Sequence, residues 1–134
     1  MITIVDTGLG NFRSVANAFE AIGHKTLITD DLKTIQKAER IVMPGVGSYA
    51  EGMRLLKEKK LIEVLKEEVL GKKKPFLGIC LGMQLLSSGG TEGGSADGLD
   101  WVRGNTLILE NQEKGSFRLP HVGWNEVRAR GDRK

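Results

Sequence analysis

Cys80 is the only cysteine of the chain, and glycines stand two residues before and two after it, in Gly78-Ile79-Cys80-Leu81-Gly82. A single thiol has no internal disulfide partner, so it is either a small core residue or a reactive group. The spacing G-x-nucleophile-x-G is that of a nucleophile elbow, in which the reactive side chain sits on a sharp, strained turn between a strand and a helix. Neighbours two residues away must then be small to avoid collision. The next backbone N–H, that of Leu81, points at the carbonyl oxygen under attack, and a helix starting there favours the thiolate. The five residues alone equally fit a buried cysteine between chance glycines. The apolar run Pro75 to Ile79 before them and the helical stretch Met83 to Leu86 after them favour the elbow.

A second glycine-rich segment, Pro44-Gly45-Val46-Gly47, follows another apolar run. Taken alone it reads as an ordinary turn. Beside an elbow its glycines let the backbone approach a ligand, and its amides can complete an oxyanion hole with Leu81 N–H.

The elements that must position these segments alternate. Ile2 to Val5, Thr26 to Thr29, Arg40 to Met43 and Pro75 to Ile79 are short apolar runs of strand length. Between the first two, Val15, Ala18, Phe19 and Ile22 fall at i, i+3, i+4, i+7, one helix face, with Asn11 as N-cap and Gly23 as C-terminal stop. Asp31 caps a short helix through Lys37, and Leu61, Ile62, Leu65 and Val69 form another stripe. Such alternation predicts an α/β fold, a mostly parallel sheet with helices on both faces. Ligands bind such sheets beyond the carboxyl ends of the strands. The loops after Val5, Met43 and Ile79 meet at that edge, and all are glycine-rich. Beyond Leu86 the pattern changes. Residues 87–95 read as a flexible polar loop, Thr106 to Leu109 and Asn125 to Arg128 as antiparallel added strands, and residues 128–134 as a frayed end.

Composition narrows the function class. The 134 residues are 40% hydrophobic, enough for one domain spanning 1–134. A net charge of +3, spread over Lys-Glu mixtures such as Lys57-Glu58-Lys59-Lys60, describes a solvated surface rather than a nucleic-acid footprint. No apolar stretch approaches the roughly 18 residues of a membrane span. The N-terminus has no signal-peptide pattern, so a cytoplasmic protein is expected. No metal or cofactor is expected. A flavodoxin-like nucleotide binder would rest on glycine-rich loops alone, since G-x-x-x-x-G-K-[ST] does not occur.

Pro44-Gly45-Val46-Gly47-Ser48, Gly78-Ile79-Cys80-Leu81-Gly82-Met83-Gln84-Leu85-Leu86 and Leu119-Pro120-His121-Val122-Gly123-Trp124-Asn125 resemble the glutaminase subunits of imidazole glycerol phosphate synthases, a family of class I glutamine amidotransferases. The opening Ile4-Val5-Asp6-Thr7-Gly8-Leu9-Gly10-Asn11 is similar too, so the likeness covers nearly the whole chain. It implies a class I amidotransferase-like, flavodoxin-like fold, incomplete at its C-terminus. The implied activity is hydrolysis of L-glutamine to glutamate and ammonia, with ammonia passed to a (β/α)8-barrel cyclase. Cys80 is then the nucleophile, and Gly45, Val46 and Gly47 join Leu81 in the oxyanion hole. Gly52 and Gln84 lie beside bound glutamine. His121 and Trp124 face the partner barrel, with Asn11 near the same interface. One departure is large: the family's base is a histidine followed two residues later by a glutamate. This sequence holds only His24 and His121, of which His24 is expected on the surface and His121 in the interface motif. The Tyr/Phe-Val-His-Ser segment that helps hold glutamine is also missing. The expectation is therefore a chain that stops before these groups and is inactive alone. An amidotransferase subunit for sugar amidation, or an inactive binding module keeping the fold, are the alternatives.

Overall fold

The four apolar runs pair side by side in the computed structural model, which describes residues 1–108, 123–126 and 128. Strands β1 (Ile2–Val5), β2 (Thr26–Thr29), β3 (Arg40–Gly45) and β4 (Phe76–Cys80) form one parallel sheet in the order β2-β1-β3-β4. Their connections carry α1 (Phe12–Ala21), α2 (Leu32–Gln36), α3 (Tyr49–Glu58) and α4 (Leu61–Lys66), the last running into a π-helical turn over Glu67–Gly71. A short helix, α5 (Leu81–Gln84), follows β4 without a gap.

The caps expected from the sequence are present. Asn11 Oδ1 accepts the Ser14 N–H at 3.2 Å, and Asp31 Oδ2 accepts that of Thr34 at 2.8 Å. At the end of α1, Gly23 N–H reaches Glu20 O and His24 N–H reaches Phe19 O, with Gly23 at φ +85°. These paired bonds satisfy carbonyls that the helix end would otherwise leave unpartnered.

Strand β3 is two residues longer than expected and contains Pro44. Its ladder with β1 ends at Ile4↔Val42, while that with β4 continues to Gly45↔Cys80. Pro44 thus lies past the β1 ladder, where its missing N–H costs no hydrogen bond. This continuation brings Gly45 opposite Cys80. Helix α3 gives no clear periodic signal in the sequence. Its buried positions, Tyr49, Met53 and Leu56, have helical spacing, but Gly52 and four charged residues interrupt the apolar signal.

The two faces of the sheet are covered unequally. Val5, Ile41 and Met43 lie under α2 to α5, packed with Ile35, Tyr49, Leu56, Leu61, Leu65 and Leu81. On the other face, among the described residues, Ile2, Ile4 and Val42 are covered by α1 alone, through Ala16. The expected α1 stripe is only partly buried: Val15 and Phe19 pack at half exposure, Ala18 is exposed and Ile22 is 69% exposed. An apolar groove runs along this side of α1, lined by Val15, Phe19, Ile22 and Ile79, and continues to Leu77, itself 49% exposed.

The segment after α5 also differs from expectation. Residues 87–95 include a strand, β5 (Gly89–Gly90), in a small sheet with β6 (Ala96–Asp97) and β7 (Asn105–Thr106). β6 runs antiparallel to β5, but β7 runs parallel to it. Leu107 and Ile108 are not in a strand, and neither are Asn125, Glu126 and Arg128; Leu109 and Val127 lie outside the described residues. Among the described residues, no helix is long and apolar enough to cross a membrane.

Candidate active site

Cys80 ends β4 and begins α5 with φ 53° and ψ −118°, a backbone conformation that side-chain-bearing residues rarely adopt. It is exposed and free. The glycines around it are obligatory. A Cβ on Gly82 would lie 1.8 Å from Met43 O, and one on Gly78 would lie 2.7 Å from Gly82 O. The turn therefore closes only because neither position carries a side chain. The helix starts two residues earlier than the Met83 to Leu86 stretch suggested, directly at Leu81, so the Leu81 amide lies in the first turn.

The second glycine-rich segment comes to the same edge. A Cβ on Gly45 would lie 3.0 Å from both Gly82 N and Leu81 Cβ. Gly47, at φ +105°, turns the chain toward α3. Of the amides expected to bind an oxyanion, that of Val46 is engaged, donating to Leu9 O at 3.2 Å. It can serve only by leaving that carbonyl. The Leu9 loop is itself tied down: Asp6 Oδ1 accepts the Gly8 N–H at 2.8 Å, and Lys59 Nζ donates to Asp6 O at 3.1 Å and Asp30 Oδ2 at 2.8 Å. The Lys59 ammonium holds the Asp30 carboxyl below its ordinary value.

Gln84 ends α5 at partial exposure, beside a cleft shared with Met83, Ser87 and Thr106. Gly52 is buried where α3 meets α5, and a Cβ there would lie 3.0 Å from Leu85 Cδ1 and 3.2 Å from Leu81 Cδ2. Its visible contribution is to let the helix behind the elbow pack closely. Asn11 caps α1, and Trp124 is fully exposed. His121 lies outside the described residues. His24 is exposed on the turn before β2, at the amino edge of the parallel sheet, whereas Cys80 is at the carboxyl edge. No imidazole stands at Cys80 among the described residues.

Reading the sequence as a flexible loop hid two features. Glu92 O accepts the Ala50 N–H at 3.2 Å, which seats residues 91–94 over the start of α3. Glu92 is exposed and makes no ion pair among the described residues, and its backbone lies beside the start of α3. The second feature is Tyr49, wholly buried, with its hydroxyl 3.0 Å from Ser87 Oγ. A lone tyrosine amid polar residues gives no periodic signal, and only the fold shows what surrounds it.

Residues 3–122 match the family model described as glutamine amidotransferase class-I. The chain is 49% identical over 127 residues to imidazole glycerol phosphate synthase subunit HisH 1 of Campylobacter jejuni (strain 81-176), covering 95% of this chain and 62% of that protein. Subunit HisH of Exiguobacterium sibiricum is 43% identical, covering 98% of this chain and 65% of its own length. Subunit HisH 2 of Methanococcus maripaludis is also 43% identical, covering 96% and 62%. The chain thus spans under two thirds of the length of these relatives. Among solved structures, a protein assigned as a peptidase E from Listeria monocytogenes EGD-e superposes with a TM-score of 0.54 at 19% identity. That match covers 66% of this chain and 50% of the other, a likeness of fold alone.

Proposed function

The chain belongs to the class-I glutamine amidotransferase family, and on that premise we propose that it supplies, as a single domain, the glutamine-splitting part of an imidazole glycerol phosphate synthase. The observation that carries this reading is the exposed thiol of Cys80, held at φ 53° on a turn whose flanking glycines admit no side chain. The sulfur attacks the side-chain carbonyl carbon of L-glutamine. Negative charge then develops on the carbonyl oxygen, where the Leu81 amide and the Gly45, Val46 and Gly47 backbone stabilise it. The C–N bond breaks, and ammonia leaves with the proton the thiol gave up. Water opens the resulting thioester to glutamate and regenerates Cys80. Gln84 and Gly52 border the substrate, and Glu92 offers a countercharge to its α-ammonium. Ammonia passes to a (β/α)8-barrel cyclase in the cytoplasm, docked against Asn11, His121 and Trp124. The names of the relatives, subunits of a synthase, support a second subunit, and the full exposure of Trp124 suits a docking face, since aromatics are favoured interface anchors.

Proton transfer limits the reaction. A free thiol is only a few per cent thiolate at neutral pH, and the departing amine must be protonated. His24 is at the wrong edge of the sheet to do either. The 134-residue chain alone is therefore expected to release essentially no ammonia, while still reacting at Cys80. A diazoketone analogue of glutamine should label Cys80 saturably, with glutamine competing. Non-saturable labelling that glutamine does not slow would leave only a binding module with the family fold. Cys80-dependent turnover by the chain alone would place the base within it, with His121 the first residue to replace.

A further inference from the structure

Ser87 Oγ is a hub hydroxyl. It lies 2.8 Å from Gln84 O, 3.0 Å from Gly89 O, 3.0 Å from Tyr49 Oη and 3.1 Å from Thr106 Oγ1. A hydroxyl has one proton and two lone pairs. Ser87 can give its one proton to the Gln84 or the Gly89 carbonyl while accepting from Tyr49 and Thr106. The phenol is fully buried and needs such a partner.

Tyr49 also explains the glycines of the segment that covers it. A Cβ on Gly90 would lie 2.4 Å from its ring, and one on Gly98 would lie 2.1 Å from its hydroxyl. The chain after α5 is thus moulded around this one side chain. Tyr49 begins α3, two residues after Gly47, while Ser87 closes the turn that follows Gln84. Their contact is a direct side-chain link between the oxyanion segment and the far end of the helix that starts at the nucleophile.

We propose that Tyr49 and Ser87 are positioning residues, which set the spacing between the Gly45-to-Gly47 amides and Gln84 and so the fit of the glutamine side chain. The inference rests on the reading of Cys80 as a glutamine-attacking thiol. It separates substrate fit from thiol reactivity, because neither hydroxyl touches Cys80.

The test uses the whole chain with Tyr49→Phe and Ser87→Ala. The diazoketone analogue reports substrate fit through its half-saturating concentration, and iodoacetamide reports the bare thiol. The half-saturating concentration should rise roughly fivefold, the order of one lost hydrogen bond, while iodoacetamide rates stay within about twofold of the parent. Half-saturation unchanged in both variants overturns the inference, and so does a parallel fall in both reagents, which would mark general loosening. If the parent labels without saturation, the proposed function fails instead. The link is then read from amide hydrogen exchange at Val46 to Ala50: faster exchange in Tyr49→Phe sustains it, and unchanged exchange overturns it.

Discussion

At the scale of single residues, steric room and backbone strain make separable demands. Gly82 has ordinary φ but no space, since a Cβ would meet Met43 O at 1.8 Å. Gly23 has space but a φ of +85°. Gly82→Ala should therefore cost at least about 3 kcal/mol and abolish analogue labelling, because rigid backbone must move. Gly23→Ala should cost only about 1 kcal/mol, the left-handed penalty alone. Denaturant midpoints of the two variants check this order. Cys80 occupies the positive-φ region that glycine enters freely. Cys80→Gly should raise stability by about 1 kcal/mol while removing the reactive group, so an unchanged or lower midpoint would deny the strain. The elbow was legible in the sequence because its demand falls on residue type at fixed spacing. Tyr49, Ser87 and Glu92 were not, because their roles depend on contacts made across the fold.

Elements carry a different kind of information. Asn11, Asp31 and Gly23 marked helix ends correctly, since capping is a local exchange between a side chain and nearby amides or carbonyls. Asn11→Ala should cost about 1 kcal/mol, whereas Asn11→Asp should retain the cap, and thermal melts distinguish them. If Asn11→Asp keeps stability but weakens binding of the proposed cyclase partner, Asn11 would hold the cap and the proposed interface as separate roles. The apolar stripe of α4 predicts a plain helix, yet its continuation is a π turn that buries Glu68 at 1% exposure. Lys72 Nζ lies 2.7 Å and Lys74 Nζ 2.5 Å from its oxygens. Burial pushes the Glu68 carboxyl up, and the two ammoniums more than reverse this, leaving it below its ordinary value. A carboxyl lowered in the folded state contributes stability that is full above its unfolded value near 4.5 and is lost as pH falls through the lower folded value. Acid titration of the melting temperature should show that loss below about pH 4.5, and Glu68→Gln should flatten it. Lys74→Met should cost on the order of 3 kcal/mol at neutral pH, since it strips a partner from a buried charge.

For the molecule as a whole, alternation of apolar runs was enough to give a parallel sheet and to bring the three glycine-rich loops to one edge. It could not show how the faces are shared. Periodicity marks which side of a helix is apolar, and the number of helices that reach a given face is decided only on packing. Trp101 packs edge-on to Phe76 with ring centroids 5.4 Å apart, whereas Trp124 is bare. Acrylamide should quench a large part of the tryptophan emission, and Trp124→Phe should remove that quenchable part. If the proposed docking holds, binding of a cyclase should protect it.

Among the described residues the groove between α1 and β4 is open, so the stability of this chain would respond to any body that covered it. Leu77 and Ile22 keep apolar surface in water that any covering body would remove. A ligand that binds only the folded form adds RT ln(1 + [L]/Kd) to the unfolding free energy, about 2.7 kcal/mol at a hundredfold excess over Kd. If a ligand fills the groove, the melting temperature should climb with its concentration. A hydrophobic dye should light up on the native chain, and Leu77→Lys should dim it. A single unfolding free energy for this protein then has meaning only when the occupant and its concentration are stated with it.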